Sequence, residues 1–339
     1  MRNFIIALIL FLGIVFVFAR ISELQAILNT LQKGDWRFLG LAGVIQGLWL
    51  LNLAKSYQVI FKAIGINERM RALLPLTAAV SFTNIVAPTA GMSGIALLMA
   101  RARSQGYSTA RAAVANTLVV LFDYIGFLII LAVGLFVLFR RNNLGSAEIL
   151  ATAILIGLAC LLALLLYQGT QSTAALEKSL DWLARLVNRI VRPFNKTDYL
   201  SEERAHTFAS EAYKGLSILR KDPAKILPPI LLGLSSKFLL LLNFLMMFLA
   251  FKVPISPGTI VAGFSLGYLF YIVSPTPAGL GFVEGALPLA LRSMYIPLGT
   301  GVVITIAYRA FTFWLPLLVG MLSFRWMSST KNKLPAVES

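Results

Sequence analysis

The chain predicts an all-α, polytopic integral membrane protein of about six full spans and two re-entrant helical hairpins, arranged as an inverted repeat. Three observations predict it. Hydrophobic residues make up 58% of the 339 positions and charged residues only 13%, and the apolar runs are long enough to cross a hydrocarbon core of about 30 Å. Two runs are interrupted in nearly the same words, Ile85-Val86-Ala87-Pro88-Thr89-Ala90-Gly91-Met92-Ser93-Gly94 and Ile272-Val273-Ser274-Pro275-Thr276-Pro277-Ala278-Gly279-Leu280-Gly281. Lysines and arginines gather mainly between the runs, as membrane topology requires.

The first run, Phe4–Ala19, follows Arg2 and reads as a transmembrane helix, with a cleaved signal peptide as the competing reading. Full spans follow at Leu39–Phe61, Ala112–Phe139, Ala147–Tyr167, Ile226–Phe251 and Pro297–Phe324. The broken segments are Leu73–Ala100 and Thr259–Leu291. A peptide group freed by such a break costs several kcal/mol in lipid, so each break must line protein or a wet cavity.

Orientation follows from the basic flanks. Lys62, Arg69 and Arg71 precede the first broken segment and Arg101, Arg103 and Arg111 follow it, which places both flanks on the cytoplasmic side. The segment is then a hairpin that enters and leaves on one face. Counting onward puts Arg140 and Arg141 outside, against the rule. Gln168–Lys225, with ten of the thirty Lys and Arg residues, falls inside. The second hairpin opens from the outer face, and both termini are cytoplasmic.

The expected organisation is a single membrane domain. It comprises a first helix and loop (1–38), repeat 1 (39–139), a connecting span (140–167), a cytoplasmic linker (168–225), repeat 2 (226–324) and a tail (325–339). Pro88 and Pro275 lie 187 positions apart, and at that spacing Asp123 falls on position 310, beside Arg309. Paired interruptions in two halves point to a transporter with its site where they meet. In the linker, Leu176, Leu180, Leu183, Val187, Ile190, Val191 and Phe194 recur at helical spacing among basic residues, describing an amphipathic helix on the inner leaflet. A second polar helix spans about Ser201 to Leu219.

The net charge of +16 would suggest nucleic acid in a soluble chain, but here it borders membrane spans and calls for no polyanion. Anionic lipid is its natural neighbour. The single cysteine, Cys160, and single histidine, His206, make a disulfide or zinc site implausible, and no phosphate-binding Gly-rich Lys-Ser/Thr loop occurs. No metal, no cofactor and no enzymatic activity are expected.

Four charges do fall within spans: Asp123, Lys237, Glu284 and Arg309, the last following Tyr308. A charge at a helix centre costs about 2.5–3.5 kcal/mol on translocon scales. Two readings stand. Asp123 with Arg309, or Glu284 with Lys237, neutralise one another and only hold helices together, or Lys237 and Arg309 meet an anionic headgroup balanced by the carboxylates. Lys55, nearer a span end, should extend toward the interface. Asn84 and Asn243 are candidates to satisfy backbone groups near the first and second breaks. The glycines at the breaks, Gly91, Gly94, Gly279 and Gly281, open onto helix N-termini whose dipoles favour an anion such as phosphate.

The run Pro275-Thr276-Pro277-Ala278-Gly279-Leu280-Gly281-Phe282-Val283-Glu284, with Arg309 downstream, resembles the Pro-Gly-Gly-x-Gly-x-x-Glu signature of the lysylphosphatidylglycerol synthase transmembrane-region family, also called flippase-like. Asn84, Pro88, Gly91, Gly94 and the span of Asp123 resemble its first repeat. The resemblance implies a flippase domain like that of multiple peptide resistance factors, without their synthase, and a homodimer. Many relatives carry an arginine and an acidic residue where this chain has Ala90, Met92 and Ser93, which leaves substrate charge open. A branch joined to glycosyltransferases makes a lipid-linked sugar an alternative cargo.

The expected function is movement of a phospholipid or other amphipathic lipid between leaflets of the cytoplasmic membrane. The alternative is a non-transporting scaffold for a separate lipid-modifying synthase or glycosyltransferase.

Overall fold

The computed structural model describes residues 21–86, 92–141, 145–171, 210, 213, 214, 216, 223–274 and 276–331. Its elements are helical. Before the first long helix lies α1 (Ile21–Leu31), in a stretch expected to be a loop. Then come α2 (Trp36–Ala63), α3 (Met70–Val86), α4 (Met92–Ser104), α5 (Thr109–Arg140) and α6 (Ser146–Gln171). The second half has α7 (Leu227–Ala250), α8 (Pro257–Val273), α9 (Phe282–Ser293), α10 (Leu298–Arg309) and α11 (Leu315–Lys331). A π-turn, Ala310–Trp314, joins α10 to α11 without a break in the helix.

Five stretches among the described residues are long and apolar enough to cross a membrane: Trp36–Ala63, Thr109–Arg140, Glu148–Gln168, Ala224–Ala250 and Leu298–Met327. These correspond to five of the expected full spans; the sixth, Phe4–Ala19, lies outside the described residues, as do the linker helix and His206.

The broken segments fold as pairs of short helices, α3 with α4 and α8 with α9. Each half therefore runs long, short, short, long. The local chemistry fits the helix ends. The Asp35 carboxylate accepts from the Arg37 amide at the start of α2, and Ser108 Oγ accepts from the Arg111 amide at the start of α5. Pro257 stands in the first turn of α8, where no amide donor is needed.

The halves meet along α2 and α7. Ala42 meets Asn243, Trp49 meets Ser236 and Asn52 meets Leu232, so numbers rise on one helix as they fall on the other. The two helices are antiparallel, as inversion of the repeat requires. Asn243, expected near the second hairpin, instead donates to the Ala42 carbonyl on α2 (3.0 Å). An amide buried in an apolar seam needs an acceptor, and here the second lone pair of a helical carbonyl across the seam supplies it.

Small residues let the helices touch. A Cβ added to Gly233 on α7 would lie 2.4 Å from the Phe122 carbonyl oxygen of α5, and one on Gly126 would lie 2.6 Å from the Gly233 carbonyl carbon. Two further crossings match across the halves. Gly134 lies against Ser265, joining α5 to α8, and Gly320 against Ala78, joining α11 to α3. In hydrocarbon such close backbone approach is the main source of helix association.

Candidate functional site

Asp123 sits on α5 one turn before Gly126, and Lys237 sits on α7 one turn after Gly233. Side chains on a helix lean toward its N-terminus, so Lys237 reaches back to the level of the glycine crossing, where Asp123 lies. Its ammonium is 2.6 Å from Asp123 Oδ2 and also donates to the Tyr268 hydroxyl. Tyr268 donates to the same carboxylate oxygen at 3.2 Å. The ammonium lies 4.0 Å from the centroid of the Tyr268 ring, placing it against the π-face as well. Lys237 is 1% exposed while the Asp123 side chain is 28% exposed.

The second cluster forms where α10 packs on α9. Arg309 Nε is 2.6 Å from Glu284 Oε1, and Arg309 Nη2 donates to the Ala278 carbonyl at 2.9 Å. Ala278 holds a left-handed φ of 52° inside the turn between α8 and α9, and Gly279 and Gly281 are also left-handed, at 74° each. The guanidinium therefore clamps a turn that β-carbon sterics would otherwise oppose. Phe313, in the π-turn, presents its ring 4.5 Å from the guanidinium carbon. Again the cation is buried, at 6%, while the Glu284 side chain as a whole is 32% exposed. Glu284 Oε1 is taken by Arg309, whereas the buried Oε2 has no hydrogen-bond partner.

The pairing differs from the sequence expectation. Asp123 meets Lys237 and Glu284 meets Arg309, not Asp123 with Arg309 or Glu284 with Lys237. The cause is helix crossing: the Gly126–Gly233 contact joins α5 to α7, while the short link from α9 to α10 keeps Arg309 beside Glu284.

In the first half, Asn84 Oδ1 accepts from the Gly94 amide at 2.9 Å, tying α3 to the first turn of α4. This is the role expected of Asn84. Pro88, Gly91 and Pro275 lie outside the described residues. Pro277 opens a short 3-10 turn that ends at Gly279, and Gly281 caps α9. Tyr308 is in the apolar core, edge-on to Phe244 with ring centroids 5.1 Å apart, and away from the polar contacts of its neighbour Arg309. Lys55 lies exposed and donates to Gln58, as a residue near a span end can.

Two tyrosines were not among the expected site residues. Tyr268 completes the Asp123–Lys237 cluster, and Tyr271, one turn on, has its ring centroid 5.5 Å from that of Tyr268. Tyr271 also touches the turn, since a Cβ on Gly279 would meet Tyr271 Cα and Cδ2 at 3.4 Å each. It lies within electrostatic reach of both Arg309 and Asp123. A run of aromatic side chains on α8 thus joins the two ion pairs. Tyrosine in an apolar span carries no special signal, but Gly126 and Gly233 did: small residues within spans mark close crossings. Among the described residues no three His, Cys, Asp or Glu side chains gather in one place that could hold a metal.

Comparison with known proteins agrees with this architecture. A UPF0104 membrane protein of Methanothermobacter thermautotrophicus is 22% identical over 333 residues, covering 96% of this chain and 97% of that one. The family described as the lysylphosphatidylglycerol synthase TM region matches residues 4–320, nearly end to end. With the Pro-Ala-Gly-Leu-Gly turn, Glu284 and Arg309 all falling within that match, the chain belongs to the lysylphosphatidylglycerol synthase TM region family.

Proposed function

We propose that this protein moves a lipid between the two leaflets of the cytoplasmic membrane, with its headgroup passing the Asp123–Lys237 and Glu284–Arg309 clusters. One observation carries the reading. The Asp123 and Glu284 side chains are 28% and 32% exposed while their cations are buried, Asp123 on a helix long and apolar enough to cross a membrane and Glu284 on the short helix α9 beside the turn. Exposure of a charge to hydrocarbon is expensive, so these faces call for water or a polar ligand in the bundle. The hairpin turn beside Glu284 supports this, because its non-helical backbone also needs polar surroundings.

The test is reconstitution of the purified chain in liposomes with labelled lipids of different headgroups, scored for accessibility in the outer leaflet over time. Accelerated, headgroup-dependent exchange that is lost in Asp123→Asn supports the proposal. No acceleration across anionic, zwitterionic and polyprenyl-linked lipids would end it.

A second reading, a scaffold that holds a separate lipid-modifying enzyme, draws on the charge balance of the two clusters. Each cation has its own carboxylate, as a purely structural pair would. Co-purification of such an enzyme with a transport-inactive chain would favour it.

A further inference from the structure

Beside the contact of Gly126 with Gly233, α5 and α7 leave a groove of about 490 Å³ between them, with α8 on its third side. Ile129 and Val133 of α5, Leu231, Ser235 and Phe238 of α7 and Val261 of α8 line it, and all but Val261 are exposed. Asp123, Lys237, Glu284 and Arg309 do not line it, so it is separate from the headgroup path proposed above. Because α5 and α7 are long and apolar enough to cross a membrane, hydrocarbon surrounds the groove.

Its size suits a lipid chain. From Leu231 to Leu241 the α7 wall rises about 15 Å at 1.5 Å per residue, half of a hydrocarbon core of about 30 Å and so the depth of one leaflet. A second transmembrane helix fits it poorly. Helices associate in lipid through small residues, but here Gly126 and Gly233 are spent on each other, and branched and aromatic side chains form the rim. A flexible chain can follow such a rim, whereas an empty groove forfeits the van der Waals contacts of its wall atoms.

The groove leads to a cation. Val137 and Arg141 continue α5 at the four-residue spacing of Ile129 and Val133. Both approach α8 at Gly258, one turn before Val261: a Cβ there would lie 3.0 Å from Val137 Cγ1 and 3.2 Å from Arg141 Nη2. Arg141 donates to the hydroxyls of Thr259 and Ser256, and no carboxylate among the described residues pairs with it. Glu148, the acidic residue nearest in sequence, lies against Gly145 instead. Two neutral acceptors leave the charge uncompensated and use only part of the donor capacity of a guanidinium. With 32 residues, α5 is about 48 Å long, which puts its end at the headgroup level of a bilayer about 40–45 Å thick.

We propose that this groove holds one chain of a resident phospholipid, with its phosphate on Arg141, in the leaflet at that end of α5. The lipid is a fixed partner of the fold, not the cargo, and its binding does not depend on the translocation reading.

The experiment is photolabelling of the full chain in liposomes with phosphatidic acid or diacylglycerol, which differ only in the phosphate, each carrying a diazirine midway along one chain. Peptide mass spectrometry maps the adducts. Phosphatidic acid is expected to label 129–133 and 231–241 about tenfold more than the exposed Leu158 and Leu161 of α6, and about tenfold more than diacylglycerol does, the scale of one charge-assisted contact. Ser235 points out of the bundle, so Ser235→Phe fills the groove without disturbing the packing behind it and should lower that labelling about tenfold. Arg141→Gln should bring phosphatidic acid down to the diacylglycerol level, and Arg141→Lys, which keeps the charge, should preserve most of the difference.

Labelling spread evenly over α5, α6 and α7 overturns the proposal, as does equal labelling by the two lipids or a groove signal unchanged in Ser235→Phe. A groove protected from both lipids would mean that protein covers it, which overturns the proposal too. The comparison of the two lipids uses the wild-type chain, so it decides the matter even where a variant fails to fold. Strong groove labelling in liposomes that show no lipid exchange would end the translocation reading and leave this site standing.

Discussion

Lys237 and Asp123 meet because Gly233 and Gly126 meet. The ammonium and carboxylate are 2.6 Å apart, and at the level of the glycines the helix backbones come closer than any side chain would allow. Packing in one layer thus sets the electrostatics of the next. This makes the glycines the first place to test the site. Gly233→Ala should destabilise by about 1–3 kcal/mol, since its Cβ would meet backbone that has no rotamer to adjust. Gly157→Ala on α6, where nothing lies within 4 Å, should be neutral or gain up to about 1 kcal/mol in helix propensity. Thermal unfolding of the two variants in detergent checks both.

Removing Lys237 alone leaves a carboxylate without its counter-charge. Lys237→Met should cost about 3 kcal/mol, the lower end for a broken buried pair because Asp123 is partly open. The double variant Lys237→Met, Asp123→Leu should recover most of that stability. A double-mutant cycle on unfolding temperature measures the coupling; a double variant no more stable than the single would show that the pair is not the reason.

Arg309 spans two acceptors, Glu284 and the Ala278 carbonyl, and lysine has no fork with which to do so. Arg309→Lys should therefore lose about 1–3 kcal/mol while keeping its charge. Protection of the amides of Gly279 to Glu284 from hydrogen exchange should fall in that variant and be kept in wild type.

Ala278 has a φ of 52°, where a β-carbon is strained. Ala278→Gly should be neutral or stabilising by up to about 1 kcal/mol, and Ala278→Val should be destabilising by more than that. Opposite signs in the melting temperatures are the expected result.

Asn84→Leu should free the Gly94 amide at the start of α4 and cost about 1 kcal/mol, as loss of a helix cap does. Asn84→Asp, which keeps the accepting oxygen, should cost less. Exchange rates of the α4 amides distinguish the two variants.

The spans and breaks were legible because they are written in composition: a long apolar run has few ways to fold, and proline with glycine inside it has fewer. The helix α1 was not, although Ile21, Leu24, Ile27, Leu28 and Leu31 recur at helical spacing, since it is far shorter than a membrane-crossing run. Arg141, expected outside against the charge rule, has tertiary contacts that sequence hides. Its guanidinium donates to Thr259 Oγ1 at 2.9 Å and Ser256 Oγ at 3.1 Å, pinning the end of α5 to the start of α8. All four intramembrane charges were visible as candidates, yet their partners were not. Pairing depends on which helices cross and at what height, and the residues that decide it are the uncharged Gly126 and Gly233. Tyr268 and Tyr271 became site residues only once α8 was seen lying between the two clusters.

The Trp49–Ser236 hydrogen bond joins positions that stand in the same place in the two halves. Equivalent positions in contact are the mark of a two-fold seam, the geometry in which two copies of one subunit associate. Here both sides of the seam belong to one polypeptide, which frees it from the rule that a symmetric dimer must carry every residue twice. At the 187-position spacing, Asp123 is matched by Ala310, Lys237 by Leu50, Glu284 by Leu97 and Arg309 by Phe122. No charge in the site is duplicated. Fusion of the halves allows one buried ion pair of each kind where a dimer of identical chains would have to accommodate two.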